Sequence, residues 1–258
     1  MRLWDAGAWL GHYPFRAVPD ESVDGLLRTM DRHGIEGAVV ANLNGAFYRD
    51  AHRANEELAR WIAPHRDRLI PWAVLNPTYP GWREDWRECR EEWGMGGLRL
   101  FPLFHRYSLT APECLSLVEH VTESSAPLAI PLQLEDRRQR HWMDPTGTVS
   151  LTEIAELARA CPSAHLLVLA ALGVESSPFV QDPSLAGARV GFDFSRMATV
   201  LQATLPRLLD AVGPERLFFA AGLPLKTPGP ALLKLELLEV SDAARNLLAS
   251  GNLRRWGA

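Results

Sequence analysis

Asp5-Ala6-Gly7-Ala8-Trp9-Leu10-Gly11 is the stretch that decides how the fold is interpreted, because the first of several short apolar segments runs into it. We predict that the first strand covers residues 3–7. Successive side chains of a strand point to opposite faces, so Trp9 shares a face with Gly7 if the extended chain continues past residue 7. Neither glycine nor an indole offers a lone pair to a metal ion, so these two residues supply no metal ligand.

Seven further apolar segments follow, and amphipathic stretches separate most of them. We predict strands over residues 3–7, 37–43, 69–76, 97–101, 128–134, 165–170, 189–194 and 216–221. Helical spacing covers residues 22–32, 52–62, 82–93, 112–123, 151–160, 197–211, 230–238 and 242–249. Thr110 with Glu113 and Ser150 with Glu153 have the spacing of capping boxes at two helix starts. This alternation favours an α/β fold, a (β/α)8 TIM barrel that forms one domain over residues 1–258.

An open doubly wound sheet has the same alternation of strands and helices, so alternation alone does not establish a closed barrel. A glycine-rich nucleotide loop after the first strand would favour the open sheet, and the sequence has none there. The length of 258 residues is close to that of one barrel. These two observations favour the closed barrel.

Composition excludes several classes of partner. The formal net charge is −4, and no basic run provides the concentrated positive face that nucleic acid or an anionic membrane requires. The three cysteines are odd in number and fall in predicted helices or directly after one, so we expect free thiols in a cytoplasmic protein. No apolar stretch is long enough to predict a membrane span. A small molecule is the partner we expect.

Four further segments carry a resemblance to a known family. They are Asn76-Pro77, Gly96-Gly97-Leu98-Arg99-Leu100-Phe101-Pro102, residues 212–219 and residues 247–255. In order and spacing, with the first strand, they resemble the amidohydrolase-related family, which includes the aminocarboxymuconate-semialdehyde decarboxylases. The resemblance covers nearly the whole chain. It implies an amidohydrolase-like TIM barrel and, in ordinary members, a divalent cation held at the carboxyl ends of the strands.

The resemblance also locates five metal-ligand positions, and this chain has a ligand at none of them. The family's two strand-one histidines correspond to Gly7 and Trp9, and its strand-five histidine corresponds to Pro131. The histidine at the end of strand six is replaced within residues 169–173, which supply only methyl groups. The strand-eight aspartate, a metal ligand and proton acceptor in the family, corresponds to Gly222. We therefore expect no metal and no other cofactor.

A relocated metal site is the alternative. His12, His105 and His141 follow predicted strands one, four and five, at the face where barrel active sites form, and Asp193 lies on predicted strand seven. Three imidazoles and a carboxylate are a plausible ligand set. Their spacing matches no known ligand pair, however, so we favour loop histidines that are solvated or hydrogen-bonded to neighbours.

Strand alternation predicts a polar cluster inside the barrel mouth. We expect Leu98, Leu100, Leu132, Leu134, Val190, Phe192 and Phe194 to face the helices. The inward positions are then Arg99, Phe101, Gln133, Glu135, Gly191, Asp193 and Ser195, with Asn42, Asn44 and Asn76 at similar heights. An unpaired buried charge costs several kcal/mol, so the cluster must be paired internally, bind a ligand or be hydrated. One interpretation is an ion pair from Arg99 to Asp193 or Glu135 in the space that a cation would fill.

The other interpretation is a binding site. Trp9, Tyr48, His105 and His141 would then form the walls around a small polar ligand. Arg16, Arg137 and Lys226 would add positive charge that suits a carboxylate-bearing, anionic compound. Because residues 135–141 carry a run of charges, they are equally well explained as a solvated loop.

Two functions follow. The first is a metal-independent hydrolase or decarboxylase in which Asp193 or Glu135 is the general base and Arg99 stabilises developing negative charge. The second is a non-catalytic barrel, a pseudoenzyme kept for binding a small ligand or for assembly. Losing the cation removes water activation and carbonyl polarisation together, which favours the second function. Aromatic residues such as Trp82, Trp86 and Trp142 would permit a homodimer, and covering the barrel's helices is the alternative role for them.

Overall fold

The computed structural model describes residues 1–136, 138–145, 147–198 and 203–257. Eight parallel strands form one sheet in the order in which they occur in the sequence. They are β1 Trp4–Leu10, β2 Gly37–Asn42, β3 Leu69–Val74, β4 Gly97–Arg99, β5 Leu128–Pro131, β6 Leu166–Leu169, β7 Val190–Asp193 and β8 Leu217–Phe218. All eight predicted strands are present, and several are shorter than predicted.

The sheet curves until its first strand meets its last. The Ala6 amide donates to Phe219 O at 3.0 Å, and the Trp9 amide donates to Leu223 O at 2.7 Å. Each of the other strand pairs is joined by parallel pairing. The prediction of a barrel is therefore confirmed, and the open doubly wound sheet is wrong. The pairing of β1 with β2 shifts register between Asp5 and Ala8.

Helices separate the strands around the outside of the barrel. They are α1 Val23–Arg32, α2 His52–Ile62, α3 Trp82–Glu91, α4 Pro102–His105, α5 Pro112–Glu123, α6 Leu151–Ala160, α7 Pro178–Gln181, α8 Thr204–Val212, α9 Gly229–Leu237, α10 Asp242–Asn246 and α11 Asn252–Arg255. A π-helical turn over Leu247–Gly251 joins α10 to α11. Short 3-10 turns lie at Leu43–Ala46, Ala63–His65, Val174–Ser176, Pro183–Leu185 and Pro214–Arg216.

The two predicted capping boxes behave differently. Helix α5 begins at the predicted residue, but Ala111 is its cap residue and no side chain caps it, so the box at Thr110 is wrong. Helix α6 is capped by Ser150, whose Oγ accepts from the Thr152 amide. Its partner Glu153 does not complete the box, because its carboxylate accepts instead from the Leu109 amide and from Ser108 Oγ. The helix predicted from residue 197 begins at Thr204, and residues 199–202 lie outside the described part of the chain.

Two layers of apolar side chains surround the strands. The outer layer lies between strands and helices and contains Leu98, Leu100, Phe192 and Phe194 as predicted. The inner layer fills the barrel and contains Phe101. Their separation follows from the alternation of side chains along each strand.

The structure also bears on the predictions about the tryptophans, the cysteines and membrane-spanning helices. Trp82 is 7% exposed and Trp86 is 3% exposed, so these two indoles are buried and only Trp142, at 83%, is available for a contact. The three cysteines are free and buried. Within the described ranges, none of the helices combines the length and the apolar character needed to cross a bilayer.

Candidate functional site

The five positions of the missing metal ligands meet at one small cavity in the barrel mouth. Its volume is about 20 Å³, and its lining residues are Gly7, Trp9, Pro131, Gln133, Leu134, Leu169, Ala170, Asp193, Gly222, Leu225 and Lys226. Because the strands end around this cavity, its position is that of a barrel active site. Such a volume accommodates one or two water molecules.

The residues of this cavity do not fit a divalent cation. A Cβ atom at Gly7 would lie 3.0 Å from Ala220 Cβ and 3.3 Å from Leu169 Cδ2, so a histidine there has no room. The Trp9 indole is 4% exposed and occupies the barrel interior. Asp193 is the one carboxylate of the lining and Lys226 adds a positive charge, whereas a cation site requires several lone-pair donors.

The alternative histidine site is not formed either. His12 is exposed and lies 3.3 Å from Glu21. His105 Nε2 donates to Gly45 O at 2.9 Å, and burial lowers the pKa of its imidazole. His141 accepts from the Met143 amide. Among the described residues, no three histidine, cysteine or acidic side chains converge as metal ligands would.

Asp193 is the acidic group of the cavity. It lies at the end of β7 and is 3% exposed. Its Oδ2 accepts from the Ala170 amide at 2.8 Å and from Ser195 Oγ at 2.9 Å, and its Oδ1 accepts from the Ser195 amide at 2.6 Å. Burial raises the pKa of Asp193, and the Lys226 charge and these hydrogen bonds oppose the rise. The predicted inward direction of Asp193 is thus confirmed.

Lys226 is the basic group of the cavity. It follows the cis Leu223–Pro224 peptide in the segment after β8. Its side chain lies over Gly222, where an added Cβ would meet Lys226 Cδ at 3.2 Å. Lys226 therefore occupies space next to the position of the family's strand-eight aspartate. Burial lowers the pKa of the Lys226 amine, against the attraction of Asp193.

Arg99 points into the barrel, as predicted, but the predicted ion pair with Asp193 or Glu135 is wrong. Its guanidinium donates to Ala8 O at 2.7 Å and to Val39 O at 2.9 Å, with a longer contact to Ala6 O at 3.4 Å. It also lies 4.2 Å from the centre of the Trp9 ring. Complete burial lowers the pKa of Arg99 to about 9. Arg99 ties β1 to β2 beneath the cavity, so it is not free to bind a ligand.

Asp5 is a buried carboxylate that the sequence did not single out. Its Oδ1 accepts from the Gly7 amide at 2.8 Å and from the Ala221 amide at 2.9 Å, which connects β1 to the segment after β8. Its Oδ2 is buried without a hydrogen-bond partner in the described part of the chain. Burial raises the pKa of Asp5 from 3.8 to about 6. The register of β1 is irregular between Asp5 and Ala8, and no pattern in the sequence predicts this contact.

Arg16 closes the mouth by joining three loops. Its guanidinium contacts both carboxylate oxygens of Glu135, at 2.9 Å and 3.3 Å, and donates to Leu225 O at 2.7 Å. We call these three residues the mouth clasp. Glu135 is 5% exposed and its carboxylate is engaged by Arg16. Leu134, predicted to face the helices, instead packs in the inner layer, because β5 ends at Pro131 and alternation stops there.

Gln133 is held beside the cavity by a residue that the sequence analysis missed. Its carbonyl oxygen, in the orientation that satisfies both amide groups, accepts from Arg196 Nη1 at 2.7 Å. Arg196 also pairs with Asp136 at 2.7 Å. Ser195 is adjacent and hydrogen-bonds to Asp193. Of the predicted polar cluster, Gln133 and Asp193 thus line the cavity. Ser195 is not a lining residue, but it hydrogen-bonds to Asp193.

The asparagines and Tyr48 are not part of the mouth. Asn42 donates to Ala54 O and to Glu57 on α2, outside the barrel, so its predicted inward direction is wrong. Asn44 and Tyr48 also donate to Glu57. Asn76 accepts from the Thr78 amide and hydroxyl within its own turn. These groups are satisfied locally and line no common site. Arg137, the remaining predicted binding residue, lies outside the described residues.

A row of aromatic rings extends from Trp9, which lines the cavity. Phe15 packs edge-on against Phe47 at 5.7 Å, and Phe47 packs edge-on against Phe104 at 5.3 Å. Phe101 connects this row to Trp9 at 5.7 Å. His141 stacks on Phe15 at 5.4 Å, so its imidazole is an outer wall of this row. The mouth is therefore filled mainly by the chain's own side chains.

No family model matches the chain, and no curated protein sequence matches it. Solved structures do match. The 5-carboxyvanillate decarboxylase from Sphingomonas paucimobilis has a TM-score of 0.75 and 14% identity, over 99% of this chain and 98% of that one. The dihydroxybenzoic acid decarboxylase from Polaromonas, solved with manganese, has a TM-score of 0.73 and 16% identity, over 99% and 96%. A probable 2-pyrone-4,6-dicarboxylic acid hydrolase from Acinetobacter baumannii has a TM-score of 0.67 and 14% identity, over 100% of both chains.

These likenesses concern the fold. Identities of 14 to 16% over nearly complete chains establish the same barrel with very different side chains. The (β/α)8 TIM barrel implied by the sequence resemblance is thereby confirmed. Fold similarity does not carry activity with it, because function depends on the residues of the site.

Proposed function

We propose that this chain is an amidohydrolase-like barrel that has lost the divalent-metal chemistry and acts as a non-catalytic protein, for binding a small ligand or for assembly. One observation carries the proposal. All five positions that hold the metal in the family surround a single cavity of about 20 Å³, and none of them provides a ligand. A bound cation would activate water and polarise a carbonyl, and these residues offer no means of holding one.

Metal binding is the direct test. We expect tag-free protein purified without chelators to contain far less than one equivalent of zinc or manganese, measured by plasma mass spectrometry. Added Zn²⁺ or Mn²⁺ should leave the melting temperature unchanged, since a ligand that binds only the folded state would raise it. The His12→Ala variant controls for weak binding at the exposed His12 and Glu21 pair. Stoichiometric metal that stabilises both proteins would overturn the proposal.

A metal-independent hydrolase or decarboxylase acting on a small carboxylated compound is the second candidate. Asp193 favours it, because this buried carboxylate lines the cavity and its pKa is raised, as suits a general base. Of the three catalytic residues predicted, Asp193 lines the cavity, whereas Arg99 and Glu135 are not among its lining residues. Asp193 is therefore the residue on which this candidate rests.

Turnover separates the two candidates. The compounds named for the similar structures, 5-carboxyvanillate, dihydroxybenzoate and 2-pyrone-4,6-dicarboxylate, form a suitable panel. We expect no turnover above the protein-free reaction, with or without added Mn²⁺. Turnover that needs no metal and disappears in Asp193→Asn, but persists in the surface variant Asp182→Asn, would establish the second candidate instead.

A further inference from the structure

A second and larger recess lies between the start of α1 and helix α2, away from the cavity in the barrel mouth. Its volume is about 370 Å³, and its lining residues are Leu10, Gly11, His12, Glu21, Ser22, Val23, Asn44 and Trp61. Small-molecule sites have volumes from about 300 Å³ upward, so this recess is large enough for a ligand, whereas the mouth cavity of about 20 Å³ is not. We call this recess the outer groove.

An exposed tryptophan supplies the apolar wall of the outer groove. Trp61 lies near the end of α2 and is 37% exposed, whereas Trp82 and Trp86 on α3 are buried. Leu10 and Val23 line the groove together with Trp61. An indole left partly in water does not gain the full stabilisation that its burial would provide. A ligand that covers this ring would therefore be stabilised by the apolar surface that it buries.

The polar wall of the outer groove carries negative charge. Among the described residues that line it, Glu21 is the one carboxylate, and none is a lysine or an arginine. Glu57, one helical turn before Trp61, adds a second carboxylate behind Asn44, whose side-chain amide donates to it at 3.2 Å. His12 lies 3.3 Å from Glu21 and carries a positive charge only when it is protonated. An aromatic face beside carboxylates suits an organic cation, because the ring and the carboxylates both attract positive charge.

Hydrogen bonds to two asparagines hold the loop that forms one side of the groove. The His12 amide donates to Asn44 Oδ1 at 2.9 Å, and the Asn44 amide donates to Asn42 Oδ1 at 3.0 Å. Gly11 has a φ of +93°, and a Cβ atom there would lie 2.3 Å from Asn42 Oδ1, so this position requires glycine. Ser22 caps the start of α1 on the other side. Because these contacts are already made, little ordering of the chain opposes the binding of a ligand.

We propose that the outer groove binds a small quaternary ammonium compound, with its cationic group against the Trp61 ring and its charge balanced by Glu21. Methyl groups on the nitrogen give apolar contact with Trp61, Leu10 and Val23. A quaternary ammonium also has no N–H donors that would need partners in the groove, and it is the kind of cation that aromatic side chains recognise. This site is separate from the barrel mouth, so the inference does not depend on the proposed loss of metal chemistry.

Choline tests the proposal, and its control is the neutral alcohol of nearly the same shape in which a carbon atom replaces the nitrogen. NMR of the full-length protein with isotope-labelled tryptophan follows the 9 indole N–H groups, and the spectrum of Trp61→Phe identifies the Trp61 signal. We expect choline to shift the Trp61 signal until it saturates, with a dissociation constant of about 10 mM or lower, and the neutral alcohol to bind at least about fivefold more weakly.

Trp142 is the internal control for non-specific association, because it is 83% exposed and does not line the outer groove. Its indole signal should not shift when choline is added. A Trp61 signal that does not shift saturably, equal binding of the two compounds, or an equal shift at Trp142 would each overturn the proposal.

Two substitutions test the carboxylate and the ring separately. Glu21→Gln keeps the shape of the side chain but removes its charge, and Trp61→Leu removes the aromatic face, so each should weaken choline binding about fivefold or more in calorimetry. Glu123→Gln is the matched control, because Glu123 also pairs with a histidine at the surface, His120 at 3.4 Å, and it should leave choline binding unchanged.

Unchanged choline affinity in Glu21→Gln or in Trp61→Leu would overturn the proposal. The melting temperature shows whether each variant is folded. If a variant fails to fold, the comparison of choline with the neutral alcohol on the unaltered protein still decides the question. Metal content and turnover are measured separately, so failure here leaves the proposed function standing.

Discussion

At the scale of the residue, Arg99 and Asp5 show how charged groups have been accommodated inside the barrel. Arg99 makes its contacts with carbonyl oxygens of β1 and β2 and with the Trp9 ring. Asp5 makes its contacts with the amides of Gly7 and Ala221. Each charged group thus forms its hydrogen bonds with backbone groups, and the two opposite charges also attract each other through space. Because of these contacts, we expect replacement of either residue to change the free energy of unfolding.

Replacing Arg99 with alanine should destabilise the protein strongly. The change removes three donors from buried carbonyl groups and leaves a void beneath Trp9. We expect a loss of about 3 kcal/mol or more in the free energy of unfolding, measured in urea. Arg87→Ala is the matched control, because Arg87 is an exposed residue that pairs with Glu84 and Glu91 of α3 and with the adjacent Glu92. The melting temperature of this variant should hardly change. A similarly small effect at Arg99 would refute the role assigned to it.

Asp5 should make stability depend on pH in an unusual direction. Its pKa is raised from 3.8 to about 6, so the folded protein binds this proton more tightly than the unfolded chain does. The associated stability is present below the unfolded pKa and is lost as the pH rises through the folded pKa. A shift of this size corresponds to roughly 3 kcal/mol at most.

We expect Asp5→Asn to flatten the fall in unfolding free energy between about pH 4 and about pH 7. The slope of the unfolding free energy against pH is the quantity to compare. The new amide NH₂ takes the place of Oδ2, which is buried without a hydrogen-bond partner in the described part of the chain, so the variant loses some stability at every pH. Asp182→Asn is the control. Arg159 lowers the pKa of Asp182 to about 2, so that group titrates below this window and its variant should keep the slope of the parent. An unchanged slope in Asp5→Asn would contradict the assignment.

At the scale of the element, regular strands were predictable and their ends were not. Alternation placed Arg99 and Asp193 inside the barrel because each is the last residue of a regular strand, and it still held for Phe101, two residues past β4. Leu134 broke the rule because β5 had already ended at Pro131. Asn42 broke it differently, since its amide bonds to Glu57 across the outer layer. Side-chain direction therefore follows from sequence within a strand, whereas at the last residue and beyond it the direction depends on the turn that follows.

The helix boundaries likewise show that a local sequence pattern predicts only part of the contacts formed. Ser150 caps α6 as its spacing predicts, yet Glu153 bonds instead to Ser108 and the Leu109 amide, which are distant in sequence. Thr110 is displaced as a cap because Pro112 fixes the first turn of α5 one residue later. A capping pattern indicates where a helix begins. Which side chains complete the cap depends on tertiary neighbours that the pattern does not contain.

The candidate site was predictable in position but not in composition. The resemblance located Gly7, Trp9, Pro131 and Gly222, and they do surround one cavity. Lys226 was noted only as a supplementary charge, because nothing in its local sequence places it over Gly222. Arg196 and Asp5 gave no signal, since their partners are distant in the chain or belong to the backbone. Contacts made by loops and by backbone groups are the part that sequence patterns could not supply.

At the scale of the whole molecule, the closed sheet makes every strand depend on two neighbours. The seam between the first and last strands is held by the Ala6 and Trp9 amides, and Asp5 reinforces it by bonding to the Ala221 amide. At the opposite end of the chain, Trp256 packs against Phe218 at 4.6 Å and so ties the last helix to β8. With both chain ends attached to the same seam, opening the barrel at any strand exposes the inner layer. We therefore expect the chain to behave as one cooperative domain.

Denaturant unfolding tests this expectation. Tryptophans occur in the inner layer, in α3 and beside α11, whereas far-UV circular dichroism reports on all helices, so the two signals sample different parts of the molecule. If the barrel unfolds as a unit, both signals should change at the same urea concentration and with the same slope. Arg99→Ala should move both midpoints together, because the ties from Arg99 join β1 to β2 within that unit. Two separate transitions, or a shift of only one signal in the variant, would divide the chain into independently folding parts and contradict the single barrel domain.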